Sequence, residues 1–302
     1  MITFKYRFIW SFIVFTALLL CGTSSSLAQV TEGPWVGKPQ EEIKRAAKDG
    51  DVEAQYAYGL LIWNDKKGDN YKQEGFDWVR KAADSGHAMA MNKLGSCYLT
   101  AWGVEPSLEK SFAWFIKSAE AGHPQAMFNV GKAYSQGVGV EADIVKAAEW
   151  FQKAALQGDV DAQNILGMLY MRGKGVLANP KEAAKYYTLA AQQGHAGAMN
   201  DLALLYLTGQ GVKKDEMKGR RWMQAAANRG MVAAQEGMVT LLVQGIGGDK
   251  DLVEAMKWCF LSAVQGSQAA SQMGYELEKS MKREDVEKAK ELAEAFKVIE
   301  DA

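Results

Sequence analysis

The stretch GDVDAQNILGMLYMRGKGVLANPKEAAKYYTLAAQQ, Gly158 to Gln193, carries the pattern that decides the fold. Ala162, Leu166, Leu169 and Tyr170 recur at helical spacing, which predicts a first helix with one apolar face. Gly173 and Gly175 interrupt it, and glycine there permits positive φ and a tight exit from the helix. Asn179 is an N-cap residue type and Pro180 suits the first helical position, so a second helix starts at this point. Tyr186 and the small pair Ala190-Ala191 follow, the alanines allowing close helix approach.

Outward from this stretch the pattern recurs. Gly50, Gly86, Gly122, Gly158, Gly194, Gly230 and Gly266 are spaced by 36 residues, and four residues beyond each stands Ala54, Ala90, Ala126, Ala162, Ala198, Ala234 or Ala270. N-cap types recur at Ser107, Asp143, Asn179, Asp215 and Asp251. Aromatic residues recur at Trp78, Trp114, Trp150, Tyr186, Trp222 and Trp258. A fixed period of this length marks stacked repeats. It predicts an all-α chain, an α/α superhelical solenoid of helix-turn-helix repeats with a 36-residue period. The period overrides the two-domain expectation from length alone.

Composition agrees and narrows the function classes. The chain has 302 residues, 48% of them hydrophobic, which is ordinary globular content. Thirty glycines against five prolines exclude collagen-like and Pro/Gly-rich disordered chains. A net charge of -1 lacks the clustered basic excess of a nucleic-acid binder.

The first 28 residues read as a leader. Lys5 and Arg7 precede the apolar run Phe8–Leu20, and small residues end at Ser26-Leu27-Ala28. The run is shorter than the roughly 20 residues a spanning helix needs. A retained anchor is the alternative to cleavage after Ala28. Cleavage leaves 33 basic against 36 acidic residues and directs the protein to the periplasm, the exterior or a secretory lumen. The expected organisation is a signal peptide at 1–28, a lead-in with a partial repeat helix at 29–49, six repeats at 50–265 and a degenerate capping repeat at 266–302. The cap is charge-rich from Arg283 on, as a terminal repeat requires.

Gly-His-Pro-Gln-Ala-Met at 122–127, then Gly131-Lys-Ala-Tyr134, Gly137-Val-Gly-Val140, Asp143, Lys146-Ala-Ala-Glu-Trp-Phe151 and Ala154-Ala155, resembles the Sel-1-like repeat, a relative of the tetratricopeptide repeat. The resemblance is strong over Gly50–Gln265 and weak beyond. It implies a solenoid whose concave face, lined by first helices, binds other proteins. Exported bacterial members are often adaptors in signalling, envelope assembly or host contact. Some cysteine-rich members are described as penicillin-binding or β-lactam-cleaving and carry a cysteine pair in each repeat. This chain retains only Cys97 and Cys259 after cleavage, on the order of 35 Å apart at the helix-packing rise. A disulfide needs Cα atoms within about 7 Å, so two buried thiols are expected. A β-lactam- or cell-wall-active hydrolase is the alternative reading, disfavoured by the missing pairs.

No catalytic, metal or cofactor site is expected. His87, His123 and His195 each follow a phase-setting glycine, in equivalent positions displaced by roughly 8–10 Å per repeat, which reads as helix-start structure. The Gly-x-Gly pairs follow helices and lack a P-loop tail. The candidate protein-binding residues lie six and ten positions after the glycines: Tyr56, Asn92, Phe128, Asn164 and Asn200, with Lys132, Met168 and Leu204 one turn on. The asparagine amides, which donate and accept, could clamp an extended backbone. A solvated or inter-helix role for these positions is the alternative. Trp102, in place of a loop glycine, is either an exposed anchor or packed on the neighbouring loop. The expected partner is a protein or peptide bound by a monomer, without nucleic acid and without membrane insertion after cleavage.

Overall fold

A computed structural model describes residues 33–65 and 70–299, and among them the chain forms fifteen α-helices and no strand. The leader at 1–28 lies outside the described residues. The chain divides into two compact units, one ending at Asp159 and one beginning at Val160. In the first, a lead helix α1 (Gln40–Lys48) precedes three helix pairs: α2 (Val52–Asp65) with α3 (Tyr71–Asp84), α4 (Ala88–Thr100) with α5 (Leu108–Glu120), and α6 (Pro124–Gln136) with α7 (Ile144–Leu156). The second has four pairs: α8 (Val160–Arg172) with α9 (Pro180–Gln192), α10 (Ala196–Thr208) with α11 (Glu216–Asn228), α12 (Val232–Gln244) with α13 (Leu252–Val264), and α14 (Gln268–Glu278) with α15 (Arg283–Glu294).

Capping fixes where the helices start. Ser107, Asp143, Asn179, Asp215 and Asp251 each accept backbone N–H groups of the helix they precede, as their spacing predicts. Asp143 takes two, from Val145 and Lys146, at 3.0 Å each. The Lys146 N–H, chiefly, holds its carboxyl below the usual value. The histidines cap the first helices. Nδ1 of His87, His123 and His195 accepts from Ala90, Ala126 and Ala198 at 3.1, 3.2 and 3.0 Å. An imidazole accepting at Nδ1 carries its proton on Nε2. Nε2 of His87 lies 3.1 Å from Glu53 Oε1, and that of His195 3.6 Å from Asp161 Oδ1. Asp51 and Ser267 do the same capping at equivalent positions without a ring.

Close approach then joins the helices. Gly95 and Gly131 lie against the rings of Phe115 and Phe151, where a Cβ would press into the ring. Gly167 lies against Tyr187 in the same way. Phe151 is almost fully buried, and its truncation to alanine would cost about 3–5 kcal/mol. Within each unit, loops after first helices lock onto the preceding pair. Gly139, at φ 71, sits so close to the Leu108 carbonyl that any Cβ would overlap it. Gly211 meets Pro180 identically. Ala101 replaces the usual helix-ending glycine and is the one non-glycine residue at positive φ among the described residues, at 55°.

The recurring tryptophans differ from a simple core filler. Trp78, Trp114 and Trp150 are half-buried, and Lys81, Lys117 and Lys153 lay their ammonium groups 4.1, 4.2 and 3.7 Å from the ring centres. Trp258 is fully buried. The last helix α15 packs on α13, and Phe296 beyond it closes edge-on over Trp258 at 5.4 Å. The Ile299 N–H donates to the Asn228 carbonyl at 2.9 Å, tying the end of the described chain to the end of α11.

Candidate interaction surface

In a helix pair, the positions left open on a first helix follow a stripe three to four residues apart. The first unit's stripe is polar: Asn92, Ser96 and Thr100 on α4, then Gln125, Lys132 and Gln136 on α6. At the same positions the second unit carries Asn164, Met168 and Arg172 on α8, Asn200, Leu204 and Thr208 on α10, and Glu236, Thr240 and Gln244 on α12, so the stripe turns apolar at Met168 and Leu204. Leu204 is 46% exposed. A groove of about 420 Å³ continues this surface between α12 and α14, floored by Val239, Val243, Met273 and Leu277 and rimmed by Gln244, Gln272 and Glu276.

The sequence-predicted residues fall into two groups. Tyr56, Asn92, Lys132, Asn164, Met168 and Leu204 are half-buried or exposed. Phe128 and Asn200 are buried at 6% and 9% exposure, which corrects the expectation that both line an open ladder. The ring of Phe128 packs 5.7 Å from Phe151, a neighbour that the repeat register alone does not reveal. Tyr56 stacks 4.8 Å from His87. Lys132 Nζ lies 5.3 Å from the Phe128 ring centre. Trp102 packs edge-on against Trp63 at 4.4 Å and Tyr71 at 5.9 Å, so it belongs to the neighbouring repeat's core.

The asparagine amides are not equivalent either. Asn92 Oδ1 accepts from Asn129 Nδ2 at 2.9 Å. Asn200 Nδ2 donates to Asp201 Oδ1 at 3.4 Å. Asn164 Oδ1 is buried with no hydrogen-bond partner. Sequence reasoning missed Asn129, Asp201 and Tyr187. Burial pushes the Asp201 carboxyl above its usual value, against the hydrogen bonds from Asn200 and the Tyr187 hydroxyl. Burial, then the Asp201 charge, pushes the Tyr187 hydroxyl up as well.

Among the described residues, no group of three or more His, Cys, Asp or Glu side chains could hold a metal ion. Cys97 and Cys259 are buried thiols, each within its own unit, and burial pushes Cys259 up to about 11. No described helix is long and apolar enough to cross a membrane.

The Sel1 repeat model matches residues 52–87, 88–123, 124–159, 160–195, 196–231, 240–267 and 267–295. The chain belongs to the Sel1 repeat family. Sel1 repeat proteins are generally protein-interaction scaffolds of helical solenoid fold. A Sel1 repeat protein from Oxalobacter formigenes is 28% identical, with a TM-score of 0.67 over 82% of this chain and 98% of that one. The protective antigen c5321 of uropathogenic Escherichia coli strains, which displays an SLR fold, is 26% identical with a TM-score of 0.56. That match covers 85% of this chain and 63% of the antigen's. Comparison with curated proteins gave no match.

Proposed function

We propose that this Sel1 repeat protein is an exported, non-enzymatic scaffold, a monomer that binds a protein or peptide partner through the open stripe of its first helices. The observation that carries the reading is the apolar surface of the second unit, where Leu204 stands 46% exposed and Val239, Val243, Met273 and Leu277 line an open groove between α12 and α14. An open groove with an apolar floor marks a surface that another chain covers. Tyr56, Asn92 and Lys132 would extend contacts of a more polar kind in the first unit. Export rests on Lys5, Arg7, the run Phe8–Leu20 and the small residues before Gln29. Such a protein serves bacterial envelope signalling, assembly or host contact. The lead-in at 29–49, the repeats at 50–265 and the cap at 266–302 are its proposed parts.

The test is site-specific photo-crosslinking in the periplasm. A crosslinking residue at position 204 should trap a partner, and one at the exposed second-helix position 192 should not. Crosslinks from 192 alone, or from neither, would overturn the reading. Nitrocefin turnover by the purified protein would overturn its non-enzymatic part.

A further inference from the structure

Two neighbouring repeats of the second unit carry a charge that the repeats beside them lack. In the equivalent windows 172–185 and 208–221, nine lysines or arginines stand against three carboxylates, in a chain whose net charge is -1. One period earlier, 136–149 holds Lys146 against Glu141, Asp143 and Glu149. One period later, 244–257 holds Lys250 and Lys257 against Asp249, Asp251 and Glu254. All four windows fold alike, as a glycine loop followed by a capped helix start, so the fold does not call for the basic excess.

The three carboxylates pair within their own segments. Glu182 lies 3.3 Å from Lys185, Glu216 2.7 Å from Lys214 and Asp215 3.6 Å from Lys218. Lys174, Lys181 and Lys213 are exposed and have no carboxylate partner among the described residues. Gly211 seats against the Pro180 carbonyl, beside the Lys181 nitrogen, which brings the two basic segments together at one edge of the unit. Two large apolar side chains stand among these charges. Leu177, in the loop between α8 and α9, is 91% exposed, and Met217, in the first turn of α11, is 62% exposed. Lys174 and Lys181 flank Leu177 along the chain, and Lys214 and Lys218 flank Met217.

We propose that this edge rests on a bilayer surface of anionic phospholipid, with the lysines against the headgroup phosphates and Leu177 and Met217 dipping between them. Apolar side chains set among ammonium groups match a surface that is negative outside and hydrocarbon beneath. An acidic polymer would answer the lysines alone and leave Leu177 and Met217 in water. The contact is peripheral, and no part of the edge crosses the bilayer. It uses none of the side chains assigned above to partner binding, so it goes beyond the scaffold reading and does not depend on it.

The experiment is co-sedimentation of the full chain without its leader with vesicles. Binding is expected to vesicles of phosphatidylglycerol mixed with phosphatidylcholine and not to phosphatidylcholine alone. It should weaken as salt is raised, because screening shortens the reach of the lysines. Lys174→Ala, Lys181→Ala and Lys213→Ala should each weaken it about fivefold, and all three together about a hundredfold. Leu177→Ser with Met217→Ser should weaken it as well, whereas Lys110→Ala with Lys146→Ala, in the corresponding segments of the first unit, should leave it unchanged. Circular dichroism checks that each variant keeps its helices, and the salt dependence of the unsubstituted protein tests the proposal without any variant. No sedimentation with the anionic vesicles, equal sedimentation with the neutral ones, or indifference to salt or to the three lysines would overturn the proposal. Salt-sensitive binding that ignores Leu177 and Met217 would overturn the bilayer as its target and leave an acidic polymer in its place.

Discussion

Ten residues beyond the phase-setting glycine, the first helices α4 and α6 of the first unit carry Ser96 and Lys132, whereas α8 and α10 of the second carry Met168 and Leu204. The positions between them scarcely differ. Ala90, Ala126, Ala162, Ala198 and Ala234 are all fully buried, and the residue four beyond each is an apolar core side chain in both units. The repeat therefore separates its two tasks by position. Some sites set helix spacing and tolerate only small or fixed residues. The rest are free to vary, and that freedom lets one framework carry a polar side chain in one unit and an apolar one at the same position in the other.

The largest expected effect tests whether the same position weighs equally in both units. Trp258→Ala removes a fully buried ring beneath Phe296 and should cost about 3–5 kcal/mol. Trp114→Ala, half-buried under Lys117, should cost about 1 kcal/mol. Urea denaturation of the two variants measures both, and equal losses would erase the distinction. Next comes the buried amide. Gln235 Oε1 accepts from Ser262 at 3.1 Å and Gln265 at 3.0 Å, so Gln235→Leu should cost about 1–3 kcal/mol by stranding the Ser262 hydroxyl. At the equivalent position, Gln55 is half-buried with its Oε1 already unpaired, and Gln55→Leu should be close to neutral. A smaller effect has the opposite sign. Ala101→Gly should stabilise the first unit by about 1 kcal/mol by relieving its left-handed conformation. Gly209→Ala should cost the second unit a similar amount, and melting curves check both.

The smallest effect is read against pH. Asp143 is held below 3.8, so its contribution is present above that pH and disappears as acid protonates the folded form. Asp201 is raised above 3.8, so its ionisation costs stability as pH rises through the raised value. At neutral pH, Asp143→Asn should lower the melting temperature and Asp201→Asn should raise it. Both differences should vanish in strong acid. Shifts of the same sign would break the contrast between an exposed helix cap and a buried carboxylate.

The fold was legible because its determinants are local. The glycines, the N-cap residues and the alanine four beyond each glycine act through backbone geometry and close packing, and each recurs in register. His87, His123 and His195 read correctly as helix-start residues for the same reason, although their role as Nδ1 caps needs the structure. The candidate surface was only partly legible. Phe128 and Asn164 share a register position, yet Phe128 turns into the core beside Phe151 while Asn164 stays half-buried. Which way such a position faces depends on its neighbour's side chain, and a period does not encode that.

The loop glycines have a consequence for how such a chain can change length. Gly103, Gly139, Gly211 and Gly247 each seat against a carbonyl of Lys72, Leu108, Pro180 or Glu216, at the start of the preceding second helix. Each seat sits 31 residues from its glycine, and the neighbouring seat repeats it one 36-residue period on. Excising or duplicating one whole period recreates an intact junction at the splice. Losing or gaining a few residues within a helix pair leaves a glycine over the wrong carbonyl. The gene for this protein is therefore a string of interchangeable cassettes, able to lengthen or shorten by whole repeats and penalised for anything between.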